Sequence, residues 1–297
     1  MKALFDAYDM SKQNFHQRLA AYGYRKEEEA ELLFMVEKIR KNHPRMSARV
    51  MYRMIQPQTM GRDKFERLCL DNGYGVRKQS NPRVTTNSKG VIRFPNLIRD
   101  IEVTSVNRVF VSDITYYELN GRFHYLTHIM DLYNREVVGS SESDNLRAEN
   151  TTIPALRQLI RLRGEQNLKG AIIHSDGGGQ YYSKEFKALT RELGMQNSMT
   201  EEKVYENSHA ERLNGTIKND YLYPYQPKDR ESLKSAHKKA IWMYNNEKPH
   251  DALNGLTPVQ YREKDVIDNE NISTRYFPLS TTNHHHHYRE LKKKKLK

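Results

Sequence analysis

Three acidic residues, Asp113, Asp176 and Glu211, stand where acids are not expected unless they have chemistry to do. Asp113 interrupts the strand-like run Arg-Val-Phe-Val-Ser-Asp-Ile-Thr-Tyr-Tyr. Asp176 closes Ala-Ile-Ile-His-Ser-Asp and runs straight into Gly177, Gly178 and Gly179. Glu211 lies on a predicted helix, Asn-Ser-His-Ala-Glu-Arg-Leu-Asn-Gly-Thr-Ile-Lys. Strand interiors exclude Asp because a carboxylate gains nothing from a pleated, half-buried surface. Carboxylates converging from strand, strand and helix make an all-oxygen, negative site suited to Mg²⁺ or Mn²⁺. Two such ions, about 3.5–4 Å apart, can activate an attacking oxygen and stabilise a leaving one in phosphoryl transfer. Each aspartate alone is weak evidence; the set points to that chemistry.

The Glu211 helix carries further polar groups. At about 100° per residue, Glu211, Asn214 and Lys218 fall within roughly 60° of one another. Ala210, Leu213 and Ile217 form a separate apolar stripe for packing. The helix is therefore expected to offer a carboxylate to metal, with Asn214 and Lys218 turned to DNA; Lys218 also reads as an ordinary solvated lysine. His174 alternates onto the same side of its strand as Asp176, where it either orients a ligand or, more commonly, is a satisfied structural histidine. His209 is two residues from Glu211, faces elsewhere and is given no role. Gly177 to Gly179 allow close approach of backbone to DNA or simply a tight exit from the strand.

The elements that must position these residues follow from the apolar pattern. Residues 107–118, 121–131 and 135–142 are rich in Val, Ile, Phe, Tyr and Thr, with Asn120-Gly121 and Asn134-Arg135 as turns. Three consecutive antiparallel strands are predicted. A helix over about 151–163 comes next, with Pro154 tolerated in its first turn. A strand at 170–174, a helix at 184–194, a strand at 195–199 and a long helix from about 207 complete the series. That order describes an α/β domain, a mixed five-stranded sheet with helices on both faces, over residues 105–264. It is the ribonuclease-H-like architecture.

Ahead of it, residues 1–75 read as a small all-α domain of helix-turn-helix type that contacts DNA. Ser11 caps a helix burying Phe15 and Leu19, and Leu32, Val36 and Ile39 continue the pattern until Pro44. Ser47 caps a short helix with Val50, Met51 and Met54, and a last helix carries Phe65 and Leu68 as far as Asn72-Gly73. A helical bundle whose charges only solvate it is the other reading. Residues 76–104 are expected to be an extended basic linker, with Arg77, Lys78, Arg83, Lys89 and Arg93 and no acid before Leu97. From 265 to 297 the chain becomes a polar, basic tail. Its run His284–His287 has no shape or supporting groups that would make it a metal site.

Composition agrees. The 297 residues allow one large domain and one small one. Lys and Arg exceed Asp and Glu by 49 − 37 = 12, which favours a polyanionic partner. The single cysteine, Cys69, forbids an intramolecular disulfide and, among Phe65, Leu68 and Leu70, reads as a buried core thiol. The N-terminus is too acidic and its apolar run too short for a signal peptide, and no stretch approaches the roughly 18 apolar residues of a membrane span. A cytoplasmic, nucleoid-associated protein is expected, without a membrane partner.

The quoted segments around Asp113, Asp176 and Glu211, taken together, resemble the retroviral-integrase-type core of bacterial insertion-sequence transposases, closest to the OrfB type. The segment from Trp242 to His250, Trp-Met-Tyr-Asn-Asn-Glu-Lys-Pro-His, followed by Leu-Thr-Pro-Val-Gln-Tyr ending at Tyr261, is similar to that family's closing signature. The likeness runs from about Phe94 to Tyr261, with a weaker match over the N-terminal helices. By position it implies Asp113, Asp176 and Glu211 as the catalytic, metal-holding DDE triad and Lys218 as the trailing lysine. It also implies two Mg²⁺ (or Mn²⁺) ions, double-stranded DNA as element end and as target, an OrfA-type protein or fusion partner, and homo-oligomers on DNA. The implied activity is polynucleotidyl transfer, nicking followed by strand transfer. A nuclease that only hydrolyses and a DNA-binding regulator without catalysis are the alternatives. The sequence departs from the family in two places. The 34 residues between Asp176 and Glu211 are one fewer than is common, which places a deletion in the loop at 200–206, and Gly177 stands where a larger polar residue is frequent.

Overall fold

Asn120 and Gly121 both take positive φ, 51° and 74°, and close the two-residue hairpin that sets the register of the central sheet. The computed structural model describes residues 10–76, 94–201, 207–268 and 274–275. The chain divides into two compact units, Met1–Ser80 and Asn81–Lys297.

Among its described residues the first unit has three helices, α1 (Lys12–Asn42), α2 (Ala48–Ile55) and α3 (Arg62–Asp71). Both predicted serine caps form. Ser11 accepts from the Asn14 N–H at 3.1 Å and Ser47 from the Val50 N–H at 3.4 Å. Leu32, Val36, Met46, Met51, Phe65 and Cys69 make the core. Burial raises the Cys69 thiol, as suits an inert core residue. One expectation fails. The stretch up to Pro44 is one 31-residue helix, and Phe15 and Leu19 on it are 40% and 54% exposed. Among the described residues the core of this unit draws on α1 only from Leu32 onward. Helices α2 and α3 are joined by residues 56–61.

In the second unit β1 (Glu102–Val103) precedes the central strands β2 (Val109–Leu119), β3 (Arg122–Asp131) and β4 (Val137–Ser143). Helix α4 (Thr152–Arg163), β5 (Ile172–Ser175), α5 (Lys184–Glu192) and β6 (Gln196–Met199) follow. The strand order is β4-β3-β2-β5-β6, the first three antiparallel and β5 and β6 parallel to β2. Phe110, Ile129 and Val138 pack with Leu156 and Phe186 of α4 and α5 on one face. Val109, Val111, Leu126 and Met130 pack on the other with Ala210, Leu213 and Ile217, the predicted apolar stripe. Those three residues belong to α6 (Ser208–Thr216) and the π-helical turn Ile217–Leu222 that continues it. Helix α7 (Arg230–Asn246) covers the same face with Leu233 and Ala240, and α8 (Pro258–Asp268) follows. This is a ribonuclease-H-like α/β fold, and its strands and helices lie within a few residues of where the pattern predicted them.

The linker expected to run to residue 104 ends sooner. From Phe94 the chain is docked on the second unit. Phe94 stacks on Tyr182 with ring centroids 5.5 Å apart, and Ile98 is buried. The Asn96 N–H donates to Glu201 Oε1 at 2.9 Å, and the Leu97 N–H to Ser198 Oγ at 2.9 Å. β1 pairs antiparallel with β7 (Thr274–Arg275). The cause is the apolar pair Leu97-Ile98, which the basic composition around it obscured. Residues 77–93 and 202–206 and the run His284–His287 lie outside the described residues.

Candidate active site

Register brings the two aspartates together. β2 pairs with β5 so that Ser112 lies beside Ser175, which leaves Asp113 and Asp176 as the next residues of adjacent parallel strands. Helix α6 is tied down beside them: Asn207, at its start, donates from Nδ2 to the Ser112 carbonyl at 3.0 Å. That anchor and the buried stripe of Ala210 and Leu213 carry Glu211 to the same place.

The electrostatics are those of a crowded anionic site. Burial first, then Asp176 and Glu211, raise Asp113 to about 8, although the Ile114 N–H (2.9 Å) and the Asn214 amide (2.8 Å) both favour its charged form. Asp176 is raised by burial against the opposing Gly178 N–H, which reaches its Oδ1 at 3.0 Å. Glu211, the most open of the three, is raised by desolvation and by Asp176. Asp176 thus raises both of its neighbours, and a cation among the three would favour their charged forms. The donor set is oxygen only, which suits a hard dication. Among the described residues no group of three His, Cys, Asp or Glu is arranged so as to hold a metal ion.

Lys218 lies in the site, with Nζ 5.1 Å from the Tyr116 ring centroid. Burial lowers its pKa while the charge of Asp113 opposes that shift. It sits on the π turn, because Pro224 has no N–H for the carbonyl one turn back and the wider register absorbs the loss. Asn214, expected to face DNA, is placed otherwise. It is 4% exposed and lies between Asp113 and His128, since it projects from α6 onto the sheet. His174 is buried against Ser198 Oγ at 2.8 Å, a structural position. His209 contacts Arg135 at 2.9 Å and is pushed down to about 3 by burial and by the charges of Arg135 and Arg212. Gly177 has φ 82°, and a Cβ there would lie 2.5 Å from Met199 Cε and 2.8 Å from the Tyr182 hydroxyl. A larger residue here would be strained by the positive φ and would need the Met199 methyl and the Tyr182 hydroxyl to shift.

Two buried histidines escaped the sequence reading. His128 stands directly across from Asp113 in the β2–β3 register, and its Nε2 lies 2.8 Å from His237 Nε2 of α7. The hairpin turn could have found the first: a two-residue loop at 120–121 pairs residues whose numbers sum to 241, hence 113 with 128. Nothing local signals His237.

Two family models, each described as an integrase core domain, match residues 103–203 and 193–258. The "Insertion element IS600 uncharacterized 31 kDa protein" of Shigella sonnei is 30% identical, over 69% of this chain and 76% of its own. The transposase for insertion sequence element IS904 of Lactococcus lactis is 28% identical, over 60% of this chain and 70% of its own. Among solved structures, the HTLV-2 integrase catalytic core domain in complex with magnesium is similar at 25% identity and a TM-score of 0.43, covering 53% of this chain and 97% of that one. Fold and family model together define a polynucleotidyl transferase core of the DNA-recombining class. The chain belongs to the insertion-sequence transposases with an integrase-like core.

Proposed function

We propose that Asp113, Asp176 and Glu211 hold two Mg²⁺ or Mn²⁺ ions and that the protein nicks the end of its element and transfers the freed 3′-hydroxyl to target DNA. The observation that carries this is the delivery of three carboxylates to one place by β2, the end of β5 and α6, where Asp113 feels both of the others. When bound, the ions supply activation of the attacking oxygen and neutralisation of charge on the leaving one. The protein's own residues orient and exclude. Asn214 and the Ile114 N–H hold the Asp113 carboxylate, the Gly178 N–H holds that of Asp176, and Lys218 offers a partly buried ammonium to a phosphate near Asp113. The partners are double-stranded DNA as end and target, further copies of the chain on that DNA, and an OrfA-type protein or fusion partner. Among the described residues no helix is long and apolar enough to cross a membrane.

The test is to incubate the protein, alone and joined to an OrfA segment, with its element's end DNA and Mg²⁺, beside the Asp113→Asn, Asp176→Asn and Glu211→Gln variants. Nicked and joined products are expected from the parent and neither from the variants, with DNA binding retained. Nicking without joining, even from a pre-nicked end, would make it a hydrolytic nuclease. A variant that nicks at the parent rate removes its residue from the site.

A further inference from the structure

We infer that His128 and His237 are positioning residues for Asp113, linked to it through Asn214 by a buried, one-directional chain of hydrogen bonds. The inference rests on the metal-site reading of Asp113 above. The chain runs from α7 through β3 and α6 to β2: His237 Nε2 to His128 Nε2 at 2.8 Å, His128 Nδ1 to Asn214 Oδ1 at 2.6 Å, and Asn214 Nδ2 to Asp113 Oδ2 at 2.8 Å. His128, His237 and Asn214 are 1%, 3% and 4% exposed, so bulk water cannot substitute for a missing partner.

Chemistry dictates the direction. An ionised carboxylate only accepts, so Asn214 must turn its NH₂ to Asp113 and its oxygen to His128. That oxygen only accepts, so His128 carries its proton on Nδ1. A neutral His128 then has a bare Nε2, which must accept from an Nε2–H on His237. Neutrality is favoured on both rings. Burial, then the nearby charge of Lys218, pushes His128 down to about 4, and burial, then His128, pushes His237 well below the ordinary histidine value. The opposite tautomer of His128 would set two N–H groups against each other at Nε2 and a lone pair against the Asn214 oxygen. The amide would then flip, turning its oxygen onto Asp113. His237 thus locks the tautomer of His128, His128 locks the Asn214 amide, and the amide holds the carboxylate in one orientation as an acceptor.

Selective ¹⁵N labelling of histidine in the full chain with saturating Mg²⁺ reads the tautomers directly, and the signals are assigned with single-histidine variants. Nδ1–H at His128 and Nε2–H at His237 are expected; Nε2–H at His128 overturns the proposal. Mn²⁺ affinity, measured by electron paramagnetic resonance without DNA, tests the consequence. His237→Phe is expected to weaken it roughly tenfold, in the range seen when an outer partner of a metal ligand is lost. His237→Gln, which keeps an N–H donor, should restore most of it, and thermal melts confirm that each variant is folded. If both His237 variants bind Mn²⁺ like the parent while Asp113→Asn does not bind it, the positioning role is wrong and the metal site stands. If Asp113→Asn binds Mn²⁺ like the parent, the metal site itself fails.

Discussion

At the scale of single residues, the site is built from groups the fold would rather keep neutral. Asp113 is raised from an ordinary value of 3.8 to about 8, chiefly by burial and next by Asp176. Between those values an unfolded chain has lost the proton that the folded one keeps. Stability from this group is therefore fully present below about pH 4 and is lost as pH rises through about 8. Asp176 and Glu211 are shifted the same way. In chelator, Asp113→Asn should therefore melt above the parent at pH 8, by a few °C on the scale of about 2–4 °C per kcal/mol, and by less at pH 5. Adding Mg²⁺ should raise the parent's melting temperature and leave the variant's unchanged. Comparing the variant with the parent cancels the other titrating groups, such as His128, which shifts in the opposite direction. Parallel melting curves across this range would mean that Asp113 is not strained by its charge. Asp113 and Asp176 were legible in the sequence because a charged residue inside or closing an apolar run has no structural explanation of its own. The Asn214–His128–His237 chain was not. Asn214 sits at helical spacing from Glu211 and reads as surface, and His237 meets His128 only through the packing of α7 on the sheet.

At the scale of elements, local signals were reliable where their partner lies within a few residues. The Asn120-Gly121 hairpin, the Ser11 and Ser47 caps and the stripe under α6 all form. They failed where burial depends on a distant element: Phe15 and Leu19 have the spacing of a buried stripe yet stand exposed, and Ile98 is buried from within a basic stretch. Gly139 shows the same dependence in the sheet. A Cβ there would collide with the Ala155 carbonyl oxygen of α4 and press on the Ile129 side chain, so only glycine lets α4 lie this close to β4. Gly139→Ala should cost about 1–3 kcal/mol in denaturant unfolding, as overpacking a well-filled contact does. Gly179→Ala, which adds a methyl where nothing lies within 4 Å, serves as the control and should cost less than roughly 0.5 kcal/mol. Equal losses would show that the α4–β4 contact yields.

At the scale of the whole molecule, charge is divided unevenly. Residues 1–90 hold 18 basic and 10 acidic side chains, a net of +8 out of the chain's net +12, whereas the candidate site is a cluster of carboxylates. Without metal that cluster repels phosphate, so affinity for DNA is expected to come from elsewhere, mainly from the N-terminal unit and the basic stretch after it. Binding should then fall steeply with salt, since each neutralised phosphate contributes about −0.9 to the log–log slope. The docking of Phe94, Asn96 and Leu97 fixes where to cut: a chain starting at residue 94 keeps the contacts of that segment with Tyr182, Ser198 and Glu201, whereas one starting at 98 loses them. The 94–297 protein should bind DNA more weakly, with a slope flatter by roughly 3 to 4 if about four phosphate contacts are lost. Its Mg²⁺-induced rise in melting temperature should match that of the full chain, because the carboxylates and their supporting amides all remain. Fluorescence anisotropy across a salt series, with melts in parallel, measures both. An unchanged slope would assign the N-terminal helices to structure or to protein contacts, and DNA affinity would then have to come from the catalytic unit, where Lys218 stands beside Asp113.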